Sequence, residues 1–385
     1  MISLIADEAA RKAAFPICQN KIFMAHAAVT ALPRVVADAI VGFTEKSAAN
    51  FEDFREILKM FQQTRAAAAR LIGSSCDEVA LIGPTSLGLS LFANGLDWQK
   101  DDEVICYLDD YPANVYPWLN LRSRGVNVRL LEPAVPGAIT PELVAASITS
   151  KTRLVALASC NFLSGYRIDI NPIGRFLRER NILFSLDAIQ TLGAFPTTVE
   201  YVDFLSADAH KWMLGPPAIG IVYVRRECFD LCRPTLLGSW NVKAPGFVAQ
   251  EEIEFQPTAQ RYEPGAMNTI GIAGMRAGID LLLEIGIDRI AERILSLRER
   301  LVNGLQQFGF EIVGQATGSN ASGIVTVSHP QRNLPALFEQ LGRADIVCSL
   351  RQDRQSRHYL RFSPHFYNTE AEVDRVLDVV AGGEM

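Results

Sequence analysis

The sequence has little of what would indicate a nucleic-acid-binding or membrane protein. It contains 37 Lys and Arg against 43 Asp and Glu, which gives a net charge of -6 at pH 7, and it has no long basic run. Binding to a phosphate backbone needs a basic patch or stripe, so this charge argues against a nucleic-acid partner. No uninterrupted apolar run approaches the ~20 residues needed to span a bilayer, which argues against a membrane partner.

Cysteine is also sparse, and its spacing shows no regular pattern. The seven cysteines are scattered, odd in number and never form a CxxC pair. This distribution indicates buried free thiols in a reducing compartment, and we predict no metal site. Residues 1–8 lack the basic start and apolar core of a secretory signal. We therefore expect a cytoplasmic protein.

The composition is that of a globular protein, with 49% hydrophobic and 21% charged residues in a chain of 385. Short apolar runs are the main feature of the first part of the chain, and they stand at 103–107, 126–130, 154–158 and 182–186. Segments with helical spacing separate most of them, such as 50–71, 141–147 and 172–180. Continuous apolar strands that alternate with helices predict a mostly parallel sheet covered on both faces. We expect an α/β domain spanning residues 20–260.

After residue 260 the pattern changes to long helices with a few strands between them. Helices are predicted at 268–285, 287–308 and 369–380, and strands at 324–327 and 358–363. Thr369 is the expected N-cap of the last helix, because it precedes Glu370 and Glu372. We predict a smaller α+β domain at residues 261–385, on which the N-terminal segment 1–19 packs.

One lysine lies in a short turn between two strand-like runs. Lys211 belongs to the pentapeptide DAHKW at 208–212, and Asp187 closes the preceding apolar run. Such a lysine is most often a solvated surface residue, but this one lies in a stretch with few other charges. A covered amine loses solvation of its charged form, so its pKa falls and imine formation becomes easier. The lysine and acid together favour pyridoxal phosphate, which needs a Schiff-base lysine and an acid beside its pyridine nitrogen.

Three further segments follow predicted strands. Thr85 and Ser86 stand between a strand and a helix, where free N–H groups and hydroxyls can bind a phosphate, although these residue types are also common helix caps. Tyr111 can stack on a flat cofactor or pack in the core. Asn161 can donate to the phenolate oxygen of the cofactor or form an ordinary turn. Open α/β sheets bind ligands beyond the C-terminal ends of their strands, so this shared position favours a single site.

These segments together resemble the class V aminotransferase group of fold-type I pyridoxal-phosphate enzymes. That group includes cysteine desulfurases, isopenicillin-epimerase-like proteins and several carbon–sulfur lyases. The resemblance runs from about residue 25 to the final helix. It rests on DAIQ at 187–190, AHKW at 209–212 with GP at 215–216, RYEPG at 261–265 with NT at 268–269, and RFSPHFYNT at 361–369. It implies a large domain with a mostly parallel sheet and a smaller C-terminal α+β domain.

The resemblance also implies site residues for pyridoxal 5'-phosphate. Lys211 is the Schiff-base lysine and the catalytic proton shuttle, and Asp187 keeps the pyridine nitrogen protonated. Arg361 binds the α-carboxylate of an amino acid substrate through a bidentate pair. The implied contacts to the rest of the cofactor are a ring stack from Tyr111, phenolate hydrogen bonds from Gln190 and Asn161, and phosphate contacts from Thr85, Ser86 and His210.

Two residues near the implied phosphate site depart from the family pattern. Asp208 stands where many desulfurases carry a phosphate-binding serine, and its carboxylate would repel a phosphate unless it is turned away. We assign it no role from the sequence. Ala266 stands where many relatives have a threonine that reaches the phosphate of the partner subunit, so that hydroxyl contact is lost.

The segment before Arg361 departs further. Desulfurases carry a nucleophilic cysteine there, on a mobile loop, and it receives sulfur as a persulfide. This chain reads SLRQDRQSR at 349–357, with no cysteine. Cys348 precedes the loop in an apolar stretch, where packing is the expected role rather than reactivity. The loop arginines can bind an acidic substrate or form a solvated lid, because charge runs usually face water.

The resemblance implies an enzyme that acts on an amino acid or amine through an external aldimine. Our first hypothesis is a cysteine-desulfurase-like carbon–sulfur or β-elimination lyase that lacks the loop cysteine. The alternatives are an aminotransferase or epimerase of the same family, and a non-catalytic protein that has kept the fold for binding. A homodimer is expected, because this family builds each active site at a subunit interface.

Overall fold

The computed structural model describes residues 7–51 and 53–382. Residues 1–6 lie outside the described residues; they belong to the stretch assessed for a secretory signal and to the predicted N-terminal segment 1–19. Residue 52 of the predicted helix 50–71 and residues 383–385 of the predicted C-terminal domain also lie outside them. The α-helices are α1 Glu8–Ala14, α2 Arg34–Ala49, α3 Phe54–Ile72, α4 Thr85–Gly95, α5 Tyr116–Asn120, α6 Pro141–Ser147, α7 Ile170–Arg178, α8 Thr269–Ile285, α9 Ile287–Gln307, α10 Leu334–Arg343 and α11 Glu370–Ala381. The β-strands are β1 Ile22–Phe23, β2 Val79–Leu81, β3 Glu103–Tyr107, β4 Asn127–Leu131, β5 Thr152–Ala158, β6 Leu183–Asp187, β7 Phe204–Asp208, β8 Gly220–Val224, β9 Glu311–Ile312, β10 Val325–Ser328, β11 Ile346–Val347, β12 Ser349–Gln352 and β13 His358–Phe362.

The central feature is a seven-stranded sheet with the order β2-β8-β7-β6-β5-β3-β4. All its pairs are parallel except those made by β8, which runs antiparallel to β2 and β7. Strands β3, β7 and β8 are buried along their whole length, as expected for a sheet covered on both faces. The predicted α/β fold with a mostly parallel sheet is confirmed.

A smaller antiparallel sheet lies in the C-terminal part, with the order β12-β13-β10-β9. It has its own apolar core, to which α9, α10 and α11 contribute Leu301, Leu341 and Val376, and β13 contributes Leu360 and Phe362. Thr369 caps α11 as predicted, because its hydroxyl accepts the Glu372 N–H and the Glu372 side chain accepts the Thr369 N–H.

Two local predictions were wrong. The single helix predicted at 50–71 begins later, because Asp53 caps α3 through the Arg55 N–H and Asn50 instead ends α2. Half of the predicted loop 349–357 is strand, since β12 pairs with β13 in an antiparallel hairpin. Short polar strands such as β12 carry no apolar alternation that would reveal them in the sequence.

The N-terminal segment contacts the C-terminal part of the chain. Strand β1 pairs in parallel with β11, and the Arg11 guanidinium lies 2.8 Å from a carboxylate oxygen of Glu372. The division into domains at residues 20–260 and 261–385 stays a prediction. Among residues 7–51 and 53–382, no helix combines the length and the apolarity needed to cross a membrane.

Candidate active site

A cavity of about 310 Å³ opens beyond the C-terminal ends of the central strands. Ligand-binding pockets start at roughly 300 Å³, so the cavity suits a small cofactor with a substrate. It brings together eight of the nine predicted site residues, namely Thr85, Ser86, Tyr111, Asp187, Gln190, His210, Lys211 and Arg361. The strand order explains this convergence, because β2, β3, β6 and β7 all end at the same edge of the sheet.

Lys211 follows β7 and is almost entirely covered, with 6% of its surface exposed. Burial lowers the pKa of its amine to about 8, while Asp187 opposes that shift and Arg361 adds to it. A large share of the amine is therefore neutral near pH 8, as a nucleophilic lysine requires. The turn after Lys211 packs tightly, since a Cβ on Gly193 would lie 2.5 Å from the carbonyl oxygen of Trp212.

Asp187 ends β6 on the inner wall of the cavity. One carboxylate oxygen accepts the backbone N–H of Ile189 at 3.0 Å. Burial raises the pKa of Asp187 to about 6, although that hydrogen bond and the Lys211 charge both lower it. The carboxylate is thus ionised at neutral pH and can hold a proton on a basic ring nitrogen placed against it.

The opposite side of the cavity begins with the first turn of α4. Pro84 precedes this helix without a side-chain cap, so N–H groups of the first turn remain for a ligand. Helix α4 packs directly on β7, since a Cβ on Gly88 would lie 2.4 Å from Ser206 Oγ. This close packing brings the Thr85 hydroxyl to 2.8 Å from the Asp208 N–H, which donates to it.

Asp208 is turned away from the cavity and paired with His210. Its Oδ1 lies 2.5 Å from His210 Nδ1 and also accepts the His210 backbone N–H at 3.1 Å. Its Oδ2 is buried and has no hydrogen-bond partner in the described part of the chain. The pair holds the imidazole through Nδ1, which leaves Nε2 for a ligand in the cavity. The sequence showed the unusual aspartate but not this contact.

Gln190 lies between the cavity and the protein interior. Its Oε1 accepts the indole N–H of Trp212 at 2.9 Å, and its Nε2 donates to the Ala27 carbonyl at 3.2 Å. An amide nitrogen carries two hydrogens, so the second remains for a ligand oxygen. These contacts fix the orientation of the amide group.

Arg361 reaches the cavity from β13 and is 1% exposed. Its Nη1 donates to the Phe162 carbonyl at 2.6 Å, whereas Nε and Nη2 are buried without a partner among residues 7–51 and 53–382. Burial lowers the pKa of this guanidinium to about 9, and Arg351 adds to that effect by repulsion. Buried N–H groups of an arginine are costly to leave unpaired, so they mark a place for an anion.

Tyr111 lies above Lys211, with the lysine Nζ 5.3 Å from the centre of its ring. Phe162 packs edge-on against Tyr111, with 5.4 Å between the ring centres, and also lines the cavity. No sequence signal pointed to Phe162, because an aromatic after a strand usually packs in the core.

Asn161 is not brought into the cavity wall. Its Oδ1 accepts the N–H groups of Leu163 and Ser164, and its Nδ2 donates to the Asp109 carbonyl at 3.0 Å. This is the turn that the alternative interpretation of Asn161 described. The predicted hydrogen bond from Asn161 to the phenolate oxygen of the cofactor stays a prediction, and these side-chain hydrogen bonds do not support it.

Pyridoxal phosphate fits this set of residues. The cavity has a covered amine in Lys211, an acid in Asp187, an aromatic face in Tyr111 and an uncapped helix start at Thr85. The unpartnered N–H groups of Arg361 add a site for a carboxylate. The donor set therefore matches an anionic, aromatic aldehyde together with an amino acid.

Replacing Asp208 by alanine is expected to weaken cofactor binding about 10-fold, because His210 loses a hydrogen bond to a charged group that orients it. A titration of cofactor-free protein, followed by absorbance, measures this affinity. In a His210→Ala background the same change should have no further effect, since Asp208 acts through that ring. Equal or tighter binding by the Asp208→Ala variant contradicts the assigned contact.

Comparisons with known proteins agree with the fold. The family model Aminotransferase class-V matches residues 22–376. A probable cysteine desulfurase of Methanothermobacter thermautotrophicus is 26% identical over 95% of this chain and 96% of its own length. The uncharacterized aminotransferase YcbU of Bacillus subtilis is 26% identical over 95% of each chain.

Solved structures show the same fold. The apo structure of a cysteine desulfurase from Thermococcus onnurineus NA1 matches with a TM-score of 0.89 at 22% identity, over 97% of each chain. The cystine C–S lyase C-DES, in complex with its product cysteine persulfide, matches with a TM-score of 0.85 at 22% identity, over 96% of this chain and 99% of its own. The family model covers nearly the whole chain, and so this protein belongs to the class V aminotransferase family of pyridoxal-phosphate-dependent enzymes.

Proposed function

We propose that this protein is a carbon–sulfur or β-elimination lyase acting on an amino acid, similar to cysteine desulfurases but without a persulfide-forming cysteine. The observation that carries the proposal is the joint placement of Lys211, Asp187 and Arg361 in one cavity that no cysteine lines within the described chain. Several relatives that are 26–28% identical are named probable cysteine desulfurases, which supports the carbon–sulfur chemistry.

The available thiols support release of sulfur rather than its capture by the protein. Cys348 lies immediately before β12 and is 7% exposed, and burial raises the pKa of its thiol to about 12. Residues 349–357 contain no other cysteine. A thiol with such a pKa is protonated at neutral pH and is a poor nucleophile. Sulfur removed from a substrate would therefore leave as free sulfide.

Different residues of the cavity would bind the substrate and transfer its proton. Arg361 would bind the α-carboxylate through its free N–H groups and hold the α-carbon near Lys211. Lys211, once its amine is free, would remove the α-proton, a role that suits a pKa of about 8. Bound pyridoxal phosphate would supply the electron sink for the resulting carbanion, and Asp187 would stabilise its ring as a cation.

The reaction is tested by incubating the cofactor-loaded protein with L-cysteine and analysing the products. β-Elimination predicts pyruvate, ammonia and sulfide in equal amounts, whereas desulfuration predicts alanine and a persulfide formed on a thiol added to the assay, because no cysteine of the described chain lines the cavity. Either product set supports the lyase. Accumulation of pyridoxamine phosphate would instead support an aminotransferase, and loss of optical purity with no sulfide would support an epimerase.

We also propose a homodimer, on the basis of an apolar surface formed by Phe51, Phe54, Phe247 and Val248. Phe51 is 88% exposed, and the ring of Phe54 lies 6.5 Å from that of Phe247. Exposed large apolar side chains of this kind mark an interaction site, and a second copy of the chain is the occupant that the family resemblance implies.

A double substitution, Phe51→Asp with Phe54→Glu, is expected to convert the dimer to monomer, since two charges would then be buried at the interface. Light scattering during size-exclusion chromatography reports the mass. Leu231→Glu changes an exposed apolar residue outside this surface and serves as the matched control. A wild-type protein that is monomeric and still turns over substrate contradicts the dimer.

The cytoplasmic location is part of the same proposal. All seven cysteines are free, and six of them are buried. Unpaired thiols are stable in a reducing compartment, which supports this location.

A further inference from the structure

Arg351 is a second guanidinium in the cavity, and the proposed reaction gives it no role. It lies on β12, and its side chain lines the cavity together with Arg361 and Lys211. The antiparallel register pairs Ser349 with Arg361 and Arg351 with Tyr359. Side chains alternate between the two faces of a strand, so Arg351 and Arg361 lie on the same face as diagonal neighbours.

The two arginines between β12 and β13 are already paired with carboxylates. Arg354 lies 2.8 Å from Asp109, and Arg357 lies 2.7 Å from Asp353. Arg351 makes no ion pair and no side-chain hydrogen bond with any residue that the structure describes, and its Nε is buried without a partner. This difference separates Arg351 from the solvated loop arginines, which are balanced within the protein itself.

The residues that line the cavity carry more positive than negative charge. Lys211, Arg351 and Arg361 face a single inner carboxylate, Asp187, because Asp208 is committed to His210. Lys211 would be neutral once attached to the cofactor, and the α-carboxylate of a substrate would balance Arg361. The phosphate of the cofactor would be bound by Thr85, Ser86 and His210, so Arg351 then has no carboxylate partner among the residues described. Arg351 is half-buried, and burial lowers the pKa of its guanidinium.

We infer that Arg351 selects amino acids whose side chain ends in an anionic group, such as a carboxylate, and binds that group while Arg361 binds the α-carboxylate. The inference rests on the proposed function, because it assigns the substrate class of the same site. A neutral side chain would leave the half-buried guanidinium without a partner for its buried Nε, which is costly. A side-chain carboxylate would instead form a charge-assisted, bidentate pair.

The test uses pairs of amino acids that have the same shape and differ in charge. The cofactor-loaded protein is titrated with L-aspartate and L-asparagine, L-glutamate and L-glutamine, and S-carboxymethyl- and S-carboxamidomethyl-L-cysteine. The change in visible absorbance immediately after mixing, before products accumulate, gives each dissociation constant. In at least one pair the anionic member is expected to bind about 10- to 100-fold more tightly, the range for a hydrogen-bonded charged group.

Two variants identify the residue responsible. Arg351→Gln should remove this preference by weakening the anionic amino acids, and it should leave the affinity for the neutral ones unchanged. Arg361→Gln should weaken both members of every pair. Arg354→Gln, in the same hairpin but paired with Asp109, should change neither affinity.

The outcomes separate this inference from the proposed function. Equal affinities within every pair, or an Arg351→Gln variant that weakens neutral and anionic amino acids alike, would overturn the role of Arg351. In the second case both arginines would share the α-carboxylate. If neither these amino acids nor L-cysteine perturbs the absorbance of the wild-type protein, the proposed function itself fails.

Discussion

Replacing Lys211 by alanine is expected to lower turnover by about 10³-fold or more, because the variant loses both the covalent attachment of the cofactor and the base at the α-carbon. The visible absorbance of covalently attached cofactor should also disappear, whereas non-covalent binding persists through the phosphate contacts. Steady-state kinetics and an absorbance spectrum measure the two effects. Unchanged thermal unfolding would show that the variant is folded.

Rescue by small amines distinguishes a chemical role of Lys211 from a structural one. Methylamine added to the alanine variant should restore part of the activity if the missing group is an amine that moves a proton. Lys211→Arg keeps a positive charge but offers no neutral amine at accessible pH, so it should remain inactive. An alanine variant with wild-type turnover would show that another residue forms the covalent link.

The pKa of Lys211 also predicts a pH dependence for loading of the cofactor-free protein. Attack on the aldehyde needs the neutral amine, and burial lowers the pKa of this amine to about 8. The second-order rate of attachment should rise about tenfold per pH unit below that value and level off above it. A rate that keeps rising to pH 10 would show a solvated lysine.

Replacing Asp187 by asparagine is expected to lower turnover by about 10²- to 10³-fold, the cost of removing one electrostatic contact to a charge that develops in the reaction. Asparagine has nearly the same shape and can still accept the Ile189 N–H, so the change isolates the negative charge. It cannot hold a proton on the pyridine nitrogen. Turnover and the affinity for the cofactor should both fall.

The acidic limb of the pH profile tests the same assignment. The wild-type protein should lose kcat/KM at a pH below about 6, where the carboxyl of Asp187 becomes protonated, because burial sets its pKa at about 6 without the cofactor and a ring cation beside it lowers that value. The asparagine variant has no such group, and its residual activity should be flat across this range. Asp203→Asn is a suitable control, since Asp203 is a buried carboxylate that pairs with Arg225 away from the cavity. An unchanged acidic limb in Asp187→Asn would assign that limb to another residue.

The buried strands of the large sheet were predictable because each is a continuous apolar run. The predicted runs at 103–107 and 182–186 correspond to β3 at Glu103–Tyr107 and β6 at Leu183–Asp187. The polar residue that ends such a run lies at the edge of the sheet, so the apolar pattern is enough to place Asp187 at a site. Lys211 was placed by the same reasoning, as the covered lysine after β7.

The hairpin β12–β13 and the turn at Asn161 were not predictable in this way. Strand β12 reads SLRQ and is held by pairing with β13 rather than by its own pattern. For Asn161, a cofactor contact and an ordinary turn both predict an asparagine directly after a strand, so the sequence does not distinguish them. Its side chain instead closes a local turn through Leu163 and Ser164. Short-range hydrogen bonds of this kind compete with ligand binding and leave no mark on the sequence.

The sequence by itself predicted the fold class and the placement of Lys211 and Asp187 at the strand ends that line the cavity, because apolar periodicity and strand ends are local properties. The tertiary structure decided what Asp208 and Arg351 contact. Asp208 is turned from the phosphate side to His210, and Arg351 lies beside Arg361 without a partner of its own among the residues described. The register of β7 and of β12 decides which face of its sheet the side chain of Asp208 or Arg351 points to. A shift by one residue would point that side chain to the other face. Register depends on pairing between distant segments, which no single stretch of sequence specifies.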